Sequence, residues 1–167
     1  MDRNDLKVRA EGDRTIVITR SFDAPRALVF GAWTKPELLK RWLLGPDGWT
    51  FASCEVDLRV GGRYRYVWVN ADGSRLTLGG EFREIAAPSR LVATEVFEGE
   101  PQFGEGLSVL ELNETGGRTV VTQTVTYPSH DARDNMLASG MEAGMASSFT
   151  QLDDLLASEA VAQGVGP

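Results

Sequence analysis

Between residues 49 and 127 the chain repeats one theme six times: a run rich in β-branched and aromatic residues, then a short joint bearing glycine or proline. The runs are 49–58, 63–70, 76–85, 91–98, 106–113 and 119–127. The joints are Val60-Gly61-Gly62, Ala71-Asp72-Gly73, Ala87-Pro88-Ser89, residues 99–104, and Thr115-Gly116-Gly117. Runs of this kind read as strands, and joints this short connect antiparallel neighbours, so the segment predicts a meander. Asp72-Gly73 is the sharpest turn signal, because hairpin turns need positive φ and this pair tolerates it. A seventh run, 15–22 (TIVITRSF), precedes the six.

A curved sheet with one apolar face must bury that face against something. Residues 131–158 supply the cover: Leu137, Met141, Met145, Ser148, Leu152 and Leu155 or Leu156 recur every three or four positions. This spacing predicts one amphipathic helix of roughly seven turns, capped by Ser129 or Asp131. Gly140 and Gly144 lie one turn apart on it, each costing about 1 kcal/mol relative to alanine. Either a backbone or ligand approaches there, or the helix packs tightly on the sheet. Two short helices are predicted earlier. One starts near Asp23, with Pro25 in its first turn and Leu28, Val29, Ala32 and Trp33 on one face. The other opens at Pro36, carries Leu38, Leu39 and Trp42, and ends at Gly45-Pro46. The expectation is an α+β domain over 13–159, with flexible ends at 1–12 and 160–167.

Charge and cysteine content narrow the partners. Seventeen basic and 24 acidic residues give a formal charge of −7, which repels phosphate backbones and argues against nucleic acid. Cys54 is the sole cysteine, so no internal disulfide can form and a reducing compartment is expected. The polar opening MDRNDLKVRAEGDR has no apolar h-region, and no apolar run reaches the ~20 residues of a membrane span. The expected location is the cytoplasm, without integral membrane association.

Several chemistries lack their residues. His130 is the sole histidine and neighbours Ser129 and Asp131 in sequence; adjacent residues do not converge into a nucleophilic relay, so it reads as a capping or surface residue. One histidine and one cysteine do not make a zinc or redox-metal cluster, and no calcium-loop spacing occurs. No metal or cofactor is expected. Gly61-Gly62 lacks the Gly-Lys-Ser/Thr ending of a phosphate loop and reads as a turn. Cys54 lies in a strand run with no histidine to activate it, and reads as a structural thiol. Glu81 and Glu95 fall in strands, with Arg63 and Arg65 on a neighbouring one. They form either outward ion pairs or a polar patch of Glu81, Glu95 and Arg63 inside a cavity, where a carboxyl could carry protons.

Aromatic residues are the positive signal. Tyr64, Tyr66 and Trp68 alternate, so all three share one sheet face. Trp33 and Trp42 come from the short helices, and Met141, Met145 and Phe149 from the long one. Adaptable methionines and aromatic walls suit an apolar pocket, although the same residues could fill a solid core. Burying roughly 300 Å² of ligand at about 25 cal/mol/Å² gives near 7 kcal/mol gross, from which binding subtracts at least about 4 kcal/mol. Such a site is weak unless polar contacts add to it.

Four segments together resemble a known group of proteins. They are Ala32-Trp33-Thr34-Lys35-Pro36-Glu37-Leu38 with Arg41-Trp42 and Gly45-Pro46; Asp57-Leu58-Arg59-Val60-Gly61-Gly62-Arg63-Tyr64; Gly80-Glu81-Phe82-Arg83-Glu84-Ile85 with Pro88 and Arg90-Leu91-Val92; and Gly140-Met141-Glu142-Ala143-Gly144-Met145 leading into Leu152-Asp153-Asp154-Leu155-Leu156. The pattern resembles the START-like, birch-pollen-allergen-like (SRPBCC) superfamily. Within it, the chain is similar to the family named for the activator of the ninety-kilodalton heat-shock chaperone's ATPase. The resemblance implies a helix-grip fold, with about seven antiparallel strands wrapped around the C-terminal helix. It also implies a non-enzymatic carrier or sensor of a small hydrophobic or amphipathic molecule, such as a lipid. The candidate contacts are Trp33, Trp42, Tyr64, Tyr66, Trp68, Met141, Met145 and Phe149. Two alternatives come with it: a chaperone regulator in stress response, although 167 residues leave no room for the further N-terminal domain of eukaryotic activators, and an enzyme of the polyketide cyclase or hydratase kind. A homodimer stays open as the assembly state. Many relatives carry tryptophan where this chain has Met145, so a relative's ligand does not transfer directly.

Overall fold

The computed structural model describes residues 5–45 and 47–162. Eight strands form one antiparallel sheet: β1 (Lys7–Glu11), β2 (Thr15–Phe22), β3 (Trp49–Val56), β4 (Arg63–Asn70), β5 (Arg75–Ala86), β6 (Arg90–Phe97), β7 (Gly106–Thr115) and β8 (Arg118–Thr126). Their spatial order is β1-β2-β8-β7-β6-β5-β4-β3. The six expected runs are β3 to β8, paired as a meander. The turn between β4 and β5 has Gly73 at φ +92°, with Asp72 accepting from the Ser74 amide at 2.8 Å. The expected seven strands become eight because Lys7–Glu11, read from sequence as part of a flexible end, pairs with β2 as an edge strand. Its polar sequence KVRAE has little to bury, which hides it from a search for apolar alternation.

Helices α1 (Arg26–Thr34) and α2 (Pro36–Trp42) follow β2. Pro25 is the cap of α1 rather than a first-turn residue, and the exposed first amide of the helix, on Arg26, donates to Glu114 Oε1 at 2.8 Å. Pro36 occupies the first turn of α2, where its missing N–H costs nothing.

The single long helix of the sequence reading is two helices, α3 (His130–Leu137) and α4 (Met141–Ala162). Ser129 caps α3 and accepts from the Ala132 amide at 3.1 Å. Gly140 turns the chain between the helices at φ +85°, a conformation glycine adopts without a Cβ clash. Of the tail expected from 160 onward, helix α4 continues through Ala162, and 163–167 lie outside the described residues.

The concave face of the sheet and the inner side of α4 hold the core. Leu152, Leu155 and Leu156 of α4 are buried with Ile16, Phe22, Leu112 and Val121 of the sheet. Each large side chain so buried stabilises the fold by about 1.5–3 kcal/mol. Phe22, Trp33, Trp42 and Phe149 meet ring to ring, with centroids 4.8–6.1 Å apart, joining β2, α1, α2 and α4. Two indoles also satisfy their polar edges: Trp42 Nε1 donates to the Ala32 carbonyl at 2.8 Å and Trp68 Nε1 to the Leu43 carbonyl at 2.9 Å. Both sides of β2 are fastened by arginines. Arg20 forms a two-pronged pair with Asp153 of α4 at 2.8 and 2.6 Å, and buried Arg133 of α3 donates to the Gly12 and Thr15 carbonyls at 3.1 and 2.9 Å.

Candidate functional site

Packing of α4 on the sheet is tight at one end only. Towards the N-terminus of α4 the two layers separate around a cavity of about 610 Å³, within the range of small-molecule sites. Strand alternation decides its sheet wall. Tyr64, Tyr66 and Trp68 of β4 face inward beside Leu76 and Leu78 of β5, Ala93 and Phe97 of β6, and Leu110 of β7. Trp33 and Trp42 close one side, and Met141, Met145 and Phe149 form the helical wall. All eight side chains singled out from sequence as ligand contacts therefore line one space.

The glycine question resolves towards open space. A Cβ added at Gly144 would meet no atom within 4 Å, so the flank of α4 at this residue faces the cavity rather than pressing against the sheet. Gly140 belongs to the helix break. With Gln102 and Ser139 it is an exposed liner, so the cavity reaches the surface between the β6–β7 loop and the α3–α4 junction. The Asn135 amide donates to the Gln102 carbonyl at 3.1 Å and ties the two sides of this mouth together.

Glu81, Glu95 and Arg63 do not form a common polar patch. Arg63 and Glu81 point away from the cavity: Glu81 lies 4.0 Å from Arg63 and 3.0 Å from Arg83, a cross-strand and near-neighbour ion pair on the outer face. Phe82, next in sequence, takes the inward direction. Glu95 alone of the three faces inside. It lies deep among protein atoms, and the accessible surface it keeps is on the cavity that it lines.

Two residues that the sequence reading did not single out hold Glu95. Gln123 Nε2 donates to Glu95 Oε2 at 3.3 Å and to Ser108 Oγ at 2.9 Å, and the Ser108 hydroxyl beside them favours the ionised carboxyl as well. Burial raises the Glu95 pKa from its usual 4.5 to about 7, against the opposing effect of these hydrogen bonds. Tyr64, Tyr66 and Tyr127 surround the carboxyl closely enough to feel its charge. Burial first, and then Glu95 among other neighbours, pushes all three phenols well above their ordinary range, so they stay protonated. The Tyr64 hydroxyl donates to the Thr94 carbonyl at 2.6 Å. Ser108 and Gln123 were legible in principle: they occupy inward positions of the alternations Gly106-Ser108-Leu110-Leu112 and Val121-Gln123-Val125-Tyr127, where a polar residue needs a partner.

The remaining candidates sit elsewhere. Cys54 is half-buried against the core beyond the cavity wall, and burial lifts its pKa to about 11, which keeps it a thiol at neutral pH. His130 is exposed; its ring lies 3.1 Å from the Asp13 carbonyl and 2.8 Å from Asp134, joining α3 to the β1–β2 turn. No cluster of metal-ligating side chains occurs among the described residues. Nor, among these, is any helix long and apolar enough to cross a membrane.

An antiparallel sheet curled over a C-terminal helix, with a lined cavity between the two, defines a helix-grip domain of the START type. Residues 23–157 match the family described as Activator of Hsp90 ATPase homolog 1-like protein, and the chain belongs to that family. A Rhodobacter sphaeroides protein of known structure superposes with a TM-score of 0.86 at 29% identity, covering 92% of this chain and 99% of that one. A Mycobacterium smegmatis protein gives 0.81 at 26% identity, with coverage of 91% and 97%. One from Nitrosomonas europaea gives 0.78 at 28%, covering 91% and 99%. No match is found among curated proteins.

Proposed function

We propose that this protein is a non-enzymatic carrier or sensor of a small hydrophobic or amphipathic molecule, held between the sheet and α4. One observation carries the reading: a cavity of about 610 Å³ whose walls are aromatic and methionine side chains, opening beside the α3–α4 junction. The contacts are Trp33, Trp42, Tyr64, Tyr66, Trp68, Met141, Met145 and Phe149. Aromatic faces give apolar area with defined shape, and the methionines let the helical wall adapt to ligand outline. The cytoplasm is the proposed location.

Native mass spectrometry of protein purified from cells, followed by titration with the neutral dye Nile red, tests this. We expect a co-purifying small molecule or saturable dye binding, and weakening of at least tenfold in Gly144→Phe, whose ring enters the cavity. Absence of both a bound molecule and saturable binding in the wild type would defeat the proposal.

A second reading rests on Glu95. A carboxyl with a pKa of about 7 inside an apolar cavity suits proton transfer, so a cyclase- or hydratase-like activity is the enzyme alternative. A chaperone regulator is the alternative that the family's description suggests. Chaperone ATPase rates with and without added protein test it, and an unchanged rate argues against it.

A further inference from the structure

Resting on the binding reading above, the charge distribution of the cavity selects among its ligands. Glu95 and Glu100 are the charged side chains lining it, and among the described residues no lysine, arginine or histidine does so. Glu95 lies on the inner face of β6 between Ala93 and Phe97, opposite Gly106 of β7. Its polar neighbours, Gln123, which donates to it, and Ser108, are both neutral. A carboxylate enclosed without a counter-cation is costly, and the cost falls when a cation is supplied. An anionic ligand would bring a second negative charge to this wall and find no cation to meet it. A cationic group finds Glu95, and shares the cavity with Tyr66, Phe97 and Tyr127, side chains of the kinds that accept hydrogen bonds from a cation or attract it to a ring. Glu100, on the β6–β7 loop beside the mouth, adds attraction of the same sign.

We propose that the ligand is an amphipathic amine: an apolar body along the aromatic and methionine walls, with one protonated primary or secondary amino group seated against Glu95. The amine keeps its proton and the carboxyl gives its own to solvent, so binding at neutral pH releases protons. Discrimination against fatty acids and other amphipathic anions follows from the same arrangement.

Three ligands with one ten-carbon chain test this: decylamine, decanol and decanoate, measured by isothermal titration calorimetry at pH 6, 7 and 8 in 0.15 M salt. Salt at that concentration screens attraction to the acidic surface. Decylamine, ionised throughout because an alkylammonium titrates near 10.4, should bind wild type at least tenfold tighter than decanol at pH 8, and decanoate weakest. Decylamine affinity should rise about tenfold from pH 6 to pH 8 as the carboxyl, titrating at about 7, ionises. Glu95→Gln should erase both the amine preference and the pH dependence while decanol binding persists. Equal binding of decylamine and decanol by wild type would overturn the amine proposal and leave the cavity reading intact. So would a preference that survives in Glu95→Gln. Failure of all three ligands would overturn both. Should Glu95→Gln not fold, the three-way comparison on wild type decides alone.

Discussion

Replacing Gly144 by alanine tests directly whether α4 stands off the sheet. Glycine inside a helix costs about 0.5–1 kcal/mol relative to alanine, because its backbone loses more freedom on folding. The added methyl group normally returns that energy only where it has room. At Gly144 it meets nothing within 4 Å. The whole gain should therefore appear, and for a domain of this size it corresponds to a rise in Tm of about 1–4 °C. Gly80 is the matched control. There a Cβ would run into the Thr94 carbonyl, which already accepts from the Tyr64 hydroxyl, so the same substitution should cost about 1–3 kcal/mol or more. Thermal melts followed by circular dichroism, with urea titrations of both variants, give the two signs. A Gly144→Ala protein that melts lower than wild type would refute the reasoning, since it would mean that the helix touches the sheet where the cavity is placed.

Four other perturbations have defined outcomes. Glu95, with its pKa raised to about 7 from 4.5, binds its proton more tightly folded than unfolded; its contribution therefore falls as pH rises from 4.5 to 7, by about 3 kcal/mol. Urea unfolding at pH 5 and pH 8 should show this loss in wild type, and Glu95→Gln should reduce it; parallel profiles would refute the assignment. Asp153→Ala leaves Arg20 buried without its carboxylate and should cost about 1–3 kcal/mol, with the partial exposure of Asp153 setting the lower end, measured by chemical denaturation. Tyr64→Phe removes the bond to the Thr94 carbonyl and should cost about 1 kcal/mol in the same assay. Cys54, lifted from 9.0 to about 11, should react with iodoacetamide at pH 8 about a hundredfold more slowly in the folded protein than in urea, read by mass spectrometry; equal rates would count against the burial of its thiol.

The strands were legible because each apolar run ended at a residue suited to a turn, as at Asp72-Gly73 and Gly116-Gly117. Alternation alone correctly put Tyr64, Tyr66 and Trp68 on one face, since the period of a strand is fixed by its geometry. The helix break was hidden because Leu137, Met141 and Met145 keep a four-residue spacing across it; periodicity measures which side chains face inward and is blind to one glycine at positive φ. The directions of Glu81 and Glu95 were also readable from their neighbours: Phe82 is inward, so Glu81 is outward, while Glu95 shares the parity of Ala93 and Phe97. What sequence could not separate was a filled core from a hollow one. The same aromatics serve both, and the difference lies in the space left between α4 and the sheet, which opens along the bare flank at Gly144.

Sheet order carries a kinetic consequence. Every pairing but one joins strands that follow each other along the chain and can form as a local hairpin or short-loop neighbour. The exception is β2 with β8, where Thr15 faces Thr126 across 111 positions of sequence. Closing a loop of that length costs about 4 kcal/mol of entropy before any contact rewards it, so this seam should be the slow step of folding. Until it zips, β8 is an unpaired edge able to recruit the same strand from another molecule. Arg20 and Arg133, the two clamps on β2, stand where chain connectivity helps least, and damage to either should shorten the time the molecule survives before it aggregates.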